Sequence, residues 1–122
     1  MRVLLTDEQA QTCAALKRFL EQEPELSVVG EAVEVVDLLA QAKKTHPDLV
    51  LLDWELPGPL AVDVLSALRG LGYPLKVVAL GKSEEMCRAA MAAGADASAS
   101  REEPPEWLLD TLRKVGGLSP CL

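Results

Sequence analysis

Aromatic side chains are scarce: two Trp, one Tyr and one Phe make up 3% of the 122 residues. A folded core must therefore be filled by Leu, Val and Ala. Positive charge is also in deficit, with 12 Lys and Arg against 19 Asp and Glu, a net charge of -7. Direct nucleic-acid binding needs a basic face, so the deficit argues against it. An acidic surface names no partner by itself, because it commonly serves solubility. Cysteine is sparse. Cys13, Cys87 and Cys121 are odd in number and lack metal-ligand or redox spacing, so free thiols in a reducing cytoplasm are expected. No charged segment leads into a long apolar run, and no stretch approaches the roughly 20 apolar residues of a membrane span. Neither a signal peptide nor membrane attachment is expected. What remains, 49% hydrophobic and 25% charged residues, suits one globular domain.

The most informative stretch is Asp48-Leu49-Val50-Leu51-Leu52-Asp53-Trp54-Glu55-Leu56-Pro57-Gly58. Four consecutive apolar residues, Leu49 to Leu52, show no alternation. That predicts a strand buried on both faces, as in a parallel sheet covered by helices. Such sheets bind ligands at the carboxyl ends of their strands. Asp53 stands at that end, followed by the Pro-Gly stop.

The rest of the chain alternates about this strand. Arg2 to Thr6 reads as a first strand, and Thr6 with Gln9 could form a capping box. Glu8 to Gln22 reads as a helix with Cys13, Leu16 and Leu20 on one face and Phe19 beside them, ended by Pro24. Leu26 to Gly30 is a weaker second strand. Val35, Leu38, Leu39 and Ala42 fit one face of a helix from Val35 to Lys44. After Pro59, Ala61, Val64, Leu65 and Leu68 mark a third helix, broken by Gly70, Gly72 and Pro74. Lys76 to Gly81 is a fourth strand. Ser83 caps a fourth helix with Met86, Ala89, Ala90 and Ala93 inward, and Gly94 follows its end. Ala95 to Ser100 has poor strand composition. Pro104-Pro105 opens a last helix through Leu108, Thr111, Leu112 and Val115. The expected domain is 1–117, and Leu118–Leu122 reads as a tail. Alternation of this kind favours parallel strands, right-handed crossovers and helices on both faces.

Asp7 and Glu8 follow the first strand, and Asp53 ends the third. Parallel pairing brings these ends to one edge, where three carboxylates repel unless a cation offsets them. A hard divalent ion is the natural one, since Mg²⁺ takes a few carboxylates, waters and phosphate oxygens. The competing reading is plain structure: Asp7 caps a helix and Asp53 opens a turn.

The arrangement resembles the receiver domain of two-component response regulators, over almost the whole chain. VLLTDE resembles that family's first strand and acidic pair, and PELSVVGEA its second strand. HPDLVLLDWELPG, the most specific match, resembles its phosphoacceptor segment. KVVALG and AAGADASASREEPPEWL resemble its last two strands and final helix. The register of the subfamily with DNA-binding output domains fits best. The resemblance implies a flavodoxin-like (CheY-like) fold, doubly wound, with five parallel strands in the order 2-1-3-4-5. It implies Asp53 as phosphoacceptor and Mg²⁺ held by Asp7, Glu8, Asp53 and the main-chain carbonyl of Glu55. The phosphate-site loop would be Gly81-Lys82, with Arg101 contacting phosphate in place of the family's Lys. Implied partners are a sensor histidine kinase, a phosphotransfer protein or a small phosphodonor, with a homodimer through the last two helices and strand five as a further expectation.

The departures from the family are as specific. Gly81 stands where it usually has Thr or Ser, Ser98 where it often has an aromatic, and Leu60-Ala61 where it has Asp and Gly. Arg101 keeps the charge of Lys in a different shape. Two functions follow as expectations. One is a phosphorelay receiver, a signalling domain and not an enzyme beyond self-catalysed phosphotransfer and dephosphorylation. The other is an interaction module in which phosphorylation is uncoupled from shape. A flavin-binding protein is disfavoured, because no Ser/Thr-rich phosphate loop follows the first strand. His46, at the strand end opposite Asp53, reads as structural. Trp54 is expected to pack beside the site and Trp107 to be partly exposed.

Overall fold

The strand that ends in Asp53 is buried at every one of its five positions, and the two sides of the molecule are built on it. The computed structural model describes residues 1–56 and 58–117; Pro57, Cys121 and the tail Leu118–Leu122 lie outside the described residues. Within them the chain runs β1 (Arg2–Thr6), α1 (Ala10–Leu20), β2 (Ser27–Ala32), α2 (Val35–Thr45), β3 (Leu49–Asp53), α3 (Ala61–Arg69), β4 (Lys76–Gly81), α4 (Glu84–Ala92), β5 (Ala97–Ser100) and α5 (Pro105–Gly116). The five strands form one sheet in the order β2-β1-β3-β4-β5, and every pairing is parallel. This is the doubly wound flavodoxin-like fold expected from the sequence.

The unbroken apolar run of β3 has a direct explanation. Val50 and Leu52 face α2 and α3, packing with Leu38, Val64 and Leu68. Leu49 and Leu51 face α1 and α5, packing with Leu20, Leu109 and Leu112. Each is fully buried, and burial of such a side chain is worth about 1.5–3 kcal/mol. A polar residue anywhere in the run would lose that on one face or the other. Covering is thinner over the far side of β4. There α4 packs through Ala90 onto Ala79 and Ala95, with Trp54 filling the space beside them.

Several local expectations change. α1 begins at Ala10, not Glu8, and no Thr6–Gln9 capping box forms: Gln9 is the N-cap but makes no side-chain cap bond. The Thr6 hydroxyl is committed across the sheet instead. β2 extends to Ala32. On α4, Ala89 is exposed and Cys87 takes its place on the half-buried side with Met86 and Ala93. Ser83 does cap α4, its Oγ accepting from Met86 N at 3.3 Å. His46 closes α2 in the left-handed region, φ 46°, and its ring stacks on Tyr73 at 4.5 Å. Trp107 is exposed. Among the described residues, no helix is long and apolar enough to cross a membrane.

Candidate functional site

β1 and β3 are neighbours, with Leu5 opposite Leu51. Continuing that register carries Asp7 level with Asp53 just past the two strand ends. Thr6 fixes the alignment. Its fully buried hydroxyl donates to the Leu51 carbonyl at 3.0 Å and accepts from the Asp53 amide at 2.7 Å. Both carboxylates are also buried, 3% exposed each. That is tolerable only because every oxygen has a donor. Asp53 Oδ1 accepts from Glu55 N at 2.9 Å, and Oδ2 from Glu8 N at 3.3 Å. Asp7 Oδ1 accepts from Gln9 N at 3.0 Å.

The positive charge comes from the far edge of the sheet. β4 and β5 pair through Gly81 and Ser100, and Arg101 N then donates to the Gly81 carbonyl at 2.9 Å. So anchored, the Arg101 guanidinium lies 2.5 Å from Asp7 Oδ2 and 3.5 Å from Asp53 Oδ2 through the same nitrogen. One cation thus serves two buried carboxylates. A second stands at the mouth: Lys82 Nζ is 3.1 Å from Glu55 Oε2. The hydrogen bond and charge of Glu55 hold the Lys82 ammonium above its ordinary pKa, with Glu8 and Asp53 adding to the effect. Asp7, Glu8, Asp53, Glu55, Lys82 and Arg101 all line one cleft of about 170 Å³. Behind it, burial first and Asp7 second push the Cys13 thiol up to about 11, so Cys13 stays protonated and out of the chemistry.

Larger grooves, of about 560 and 600 Å³, open beside β5 around Ser98, away from the carboxylates. The position that lacks a hydroxyl is tightly overlaid. A Cβ on Gly81 would sit 3.1 Å from Met86 Cβ and 3.3 Å from Cys87 Sγ. The first turn of α4 therefore closes over the place a strand-four side chain would occupy.

The donor chemistry suits a hard cation. Two buried carboxylates share a single guanidinium, which leaves one negative charge uncompensated, and a main-chain carbonyl belongs to the same loop. Mg²⁺ asks for one or two carboxylates and keeps several waters. Among the described residues no three His, Cys, Asp or Glu side chains gather closely enough to hold a metal by themselves. Such an ion would therefore rest on Asp7, Asp53 and oxygens other than side-chain carboxylates. Glu8 is exposed at the rim.

The sequence-predicted residues thus meet at one edge. Two features had escaped sequence reasoning: the Thr6 hydroxyl tie and the Glu55–Lys82 ion pair. Thr6 carried a faint signal, a lone hydroxyl in an otherwise apolar strand. The ion pair carried none, because it depends on two loops meeting.

Known proteins share this architecture. The family model of the response regulator receiver domain matches residues 3–113. The nitrate/nitrite response regulator protein NarL of Escherichia coli K12 is 31% identical over 115 residues, covering 93% of this chain and 53% of NarL. A protein-glutamate methylesterase/protein-glutamine glutaminase of Hydrogenovibrio crunogenus is 35% identical over 85 residues, 70% of this chain and 22% of that protein. The chain therefore spans about half the length of NarL and less of the methylesterase. The response regulator domain of Thermotoga maritima CheB superposes with a TM-score of 0.83 at 23% identity, covering 98% of each chain. The complex of the CheA3 P1 domain with CheY6 from R. sphaeroides gives a TM-score of 0.82 at 22% identity, over 95% of this chain and 96% of that one. With the fold, the acidic edge and a family match running from β1 into α5, this chain belongs to the response regulator receiver domains.

Proposed function

We propose that Asp53 is the phosphoacceptor of a two-component phosphorelay, taking its phosphoryl group from a sensor histidine kinase, a phosphotransfer protein or a small phosphodonor. The observation that carries this reading is the setting of Asp53: a buried carboxylate, oriented by two main-chain amides, 3.5 Å from the Arg101 guanidinium in a cleft that Lys82 also lines. An Asp53 oxygen forms the new P–O bond as the P–N bond to the donor histidine, or the P–O bond of a small acyl phosphate, breaks. The departing group keeps the electron pair. Because the amides fix the carboxylate before the donor arrives, its orientation costs little at the moment of reaction. Arg101 lies within reach of the transferred group and can fork onto its oxygens. Asp7 and Asp53 with the Glu55 carbonyl would hold Mg²⁺, with Glu8 at the rim. When bound, the metal supplies charge to oxygens on which negative charge accumulates.

Phosphotransfer here is self-catalysed and stoichiometric, which makes the chain a signalling domain and not a turnover enzyme. The kinase or phosphotransfer partner is inferred from the family; the CheY6 structure pairs a receiver with the P1 domain of CheA3. A homodimer through α4, β5 and α5 is a lesser inference, supported by exposed Met91 and Trp107 on that face. Output and signal belong to whatever longer protein or partner the receiver serves.

A second reading has its own observation. Only contacts that differ between two states shift their populations. A hydrogen bond to a charged group is worth about 1.5–3 kcal/mol, and moving an equilibrium from 1:99 to 99:1 takes roughly 5.5 kcal/mol. With Gly81 overlaid by α4 and Ser98 lacking a ring, the phosphoryl group has a reduced hold on α4. Phosphorylation would then occur with little change of shape. Intact mass after incubation with acetyl phosphate and Mg²⁺ tests the primary reading. One phosphate is expected, lost in Asp53→Asn; equal labelling of the variant refutes it.

A further inference from the structure

Two cations, Arg101 and Lys82, line the cleft of Asp53, and only Arg101 has been given a task. Lys82 is set differently. It follows Gly81 directly, so its main chain is fixed by the end of β4, while its side chain is mostly exposed and spans the mouth of the cleft. Its ammonium rests on the carboxylate of Glu55, two residues after Asp53 in the loop whose amide holds Asp53 Oδ1. The ammonium therefore lines the same cleft into which a group on Asp53 must project. Glu55 is itself half-buried, and no other cation is paired with it among the described residues.

We propose that Lys82 is a phosphoryl-binding residue held in reserve by Glu55, and that it leaves Glu55 for the phosphoryl group once Asp53 is modified. The proposal rests on the reading of Asp53 as phosphoacceptor and deepens it. Glu55 offers Lys82 a single negative charge. A phosphoryl group offers about -1.5 to -2 and three acceptor oxygens. Charge-assisted bonds to such a group are stronger than an exposed ion pair, which is worth little. Arg101 is already shared between Asp7 at 2.5 Å and Asp53 at 3.5 Å, so its single charge does not by itself match that of a phosphoryl group. Gly81 offers no hydroxyl, and a side chain there would crowd the first turn of α4 at Met86 and Cys87. Lys82 is then the remaining side chain on the β4 side of the cleft able to donate to phosphate. Transfer of the ammonium leaves the Glu55 carboxylate unpaired next to a new anion, which drives it outward. The change at the surface is therefore an acidic side chain released beside the modified residue, with α4 left where it was.

The test is beryllofluoride binding to the full chain with Mg²⁺, read by Trp54 fluorescence and by the ¹³C shift of the Glu55 carboxylate. Lys82→Gln should weaken binding about three- to tenfold. Lys82→Arg should restore it to within about twofold of the parent. Glu55→Gln, which frees Lys82, should tighten binding about two- to fivefold. The Glu55 carboxylate signal should move on addition of beryllofluoride in the parent and stay still in Lys82→Gln. A merely structural ion pair would weaken binding in both variants. Unchanged binding in Lys82→Gln, or weaker binding in Glu55→Gln, overturns the role of Lys82 while the phosphoacceptor reading stands. No binding to the parent overturns both, and binding retained in Asp53→Asn removes the acceptor on which Lys82 depends.

Discussion

Thr6 carries no charge and touches no ligand, yet both acidic strand ends are aligned through it. Its hydroxyl joins the Leu51 carbonyl to the Asp53 amide across β1 and β3, with no exposure to water. Thr6→Val keeps the shape and removes both bonds, leaving a buried N–H without an acceptor. An unsatisfied buried group costs about 1–3 kcal/mol, so a loss of about 2 kcal/mol is expected, visible as a lower urea midpoint with an unchanged slope. Thr6→Ser should recover most of it. Parent-like stability in Thr6→Val would show that the tie is idle. At this scale the sequence is legible where chemistry and local pattern coincide. Asp7 and Asp53 each close an apolar run, so their edge position follows from strand direction alone. The partnership of Arg101 with Asp7 spans 94 positions. It becomes visible only when β5 is placed, by resemblance, at the far side of β4. The Glu55–Lys82 pair gives no local signal at all.

Among the elements, β5 was the least legible, because ASAS has neither the bulk nor the branching that strands favour. Tertiary ties supply what propensity lacks. Asp96, just before the strand, accepts from the Val77 amide at 2.7 Å and from Arg69 Nη2 at 2.8 Å. Arg69 also donates to the Leu75 and Gly94 carbonyls. One carboxylate thus joins the end of α3 to the starts of β4 and β5. Burial raises the Asp96 pKa, but the Val77 N–H and the Arg69 guanidinium outweigh it and hold the group below its ordinary 3.8. A carboxylate with a depressed folded pKa stabilises above its unfolded value, and that contribution fades as pH falls through the folded one. Asp96→Asn should therefore cost about 1 kcal/mol at neutral pH, the pair being partly open to water. The difference from the parent should shrink as pH drops below 3.8. Urea titrations from pH 7 to pH 2.5 measure it, and a difference independent of pH would place the stabilisation elsewhere. By contrast β3 is legible from an unbroken apolar run, because both its faces are buried, and the helices α2, α3 and α5 from periodicity, because each buries one face. α1 starts two residues later than its pattern predicts, because the Thr6 hydroxyl has two competing uses and the sheet takes it. The pattern places Ala89 on the inner face of α4, and the structure exposes it, because an alanine-rich helix shows little contrast between its sides.

For the molecule as a whole, an excess of negative charge meets a site where two buried carboxylates share one guanidinium. Stability should therefore respond to divalent cations. A ligand at about 100 times its dissociation constant adds roughly 2.7 kcal/mol, so millimolar Mg²⁺ should raise the melting temperature by several degrees. Asp7→Asn should abolish the response and raise the melting temperature of the metal-free protein, because it removes one of the two repelling charges. A parent protein indifferent to Mg²⁺, or an Asp7→Asn variant less stable without it, would refute this account of the edge. The same edge also has an order of arrival. Asp7 and Asp53 stand on the two strands at the centre of the sheet, and Arg101 follows the last strand at its rim. During synthesis both acidic groups emerge from the ribosome well before their counter-charge. A nascent chain holding only the first three strands must bring two carboxylates together without the guanidinium. Their repulsion works against early closure of the sheet, and the segment after β5 brings the guanidinium that offsets it in the finished site.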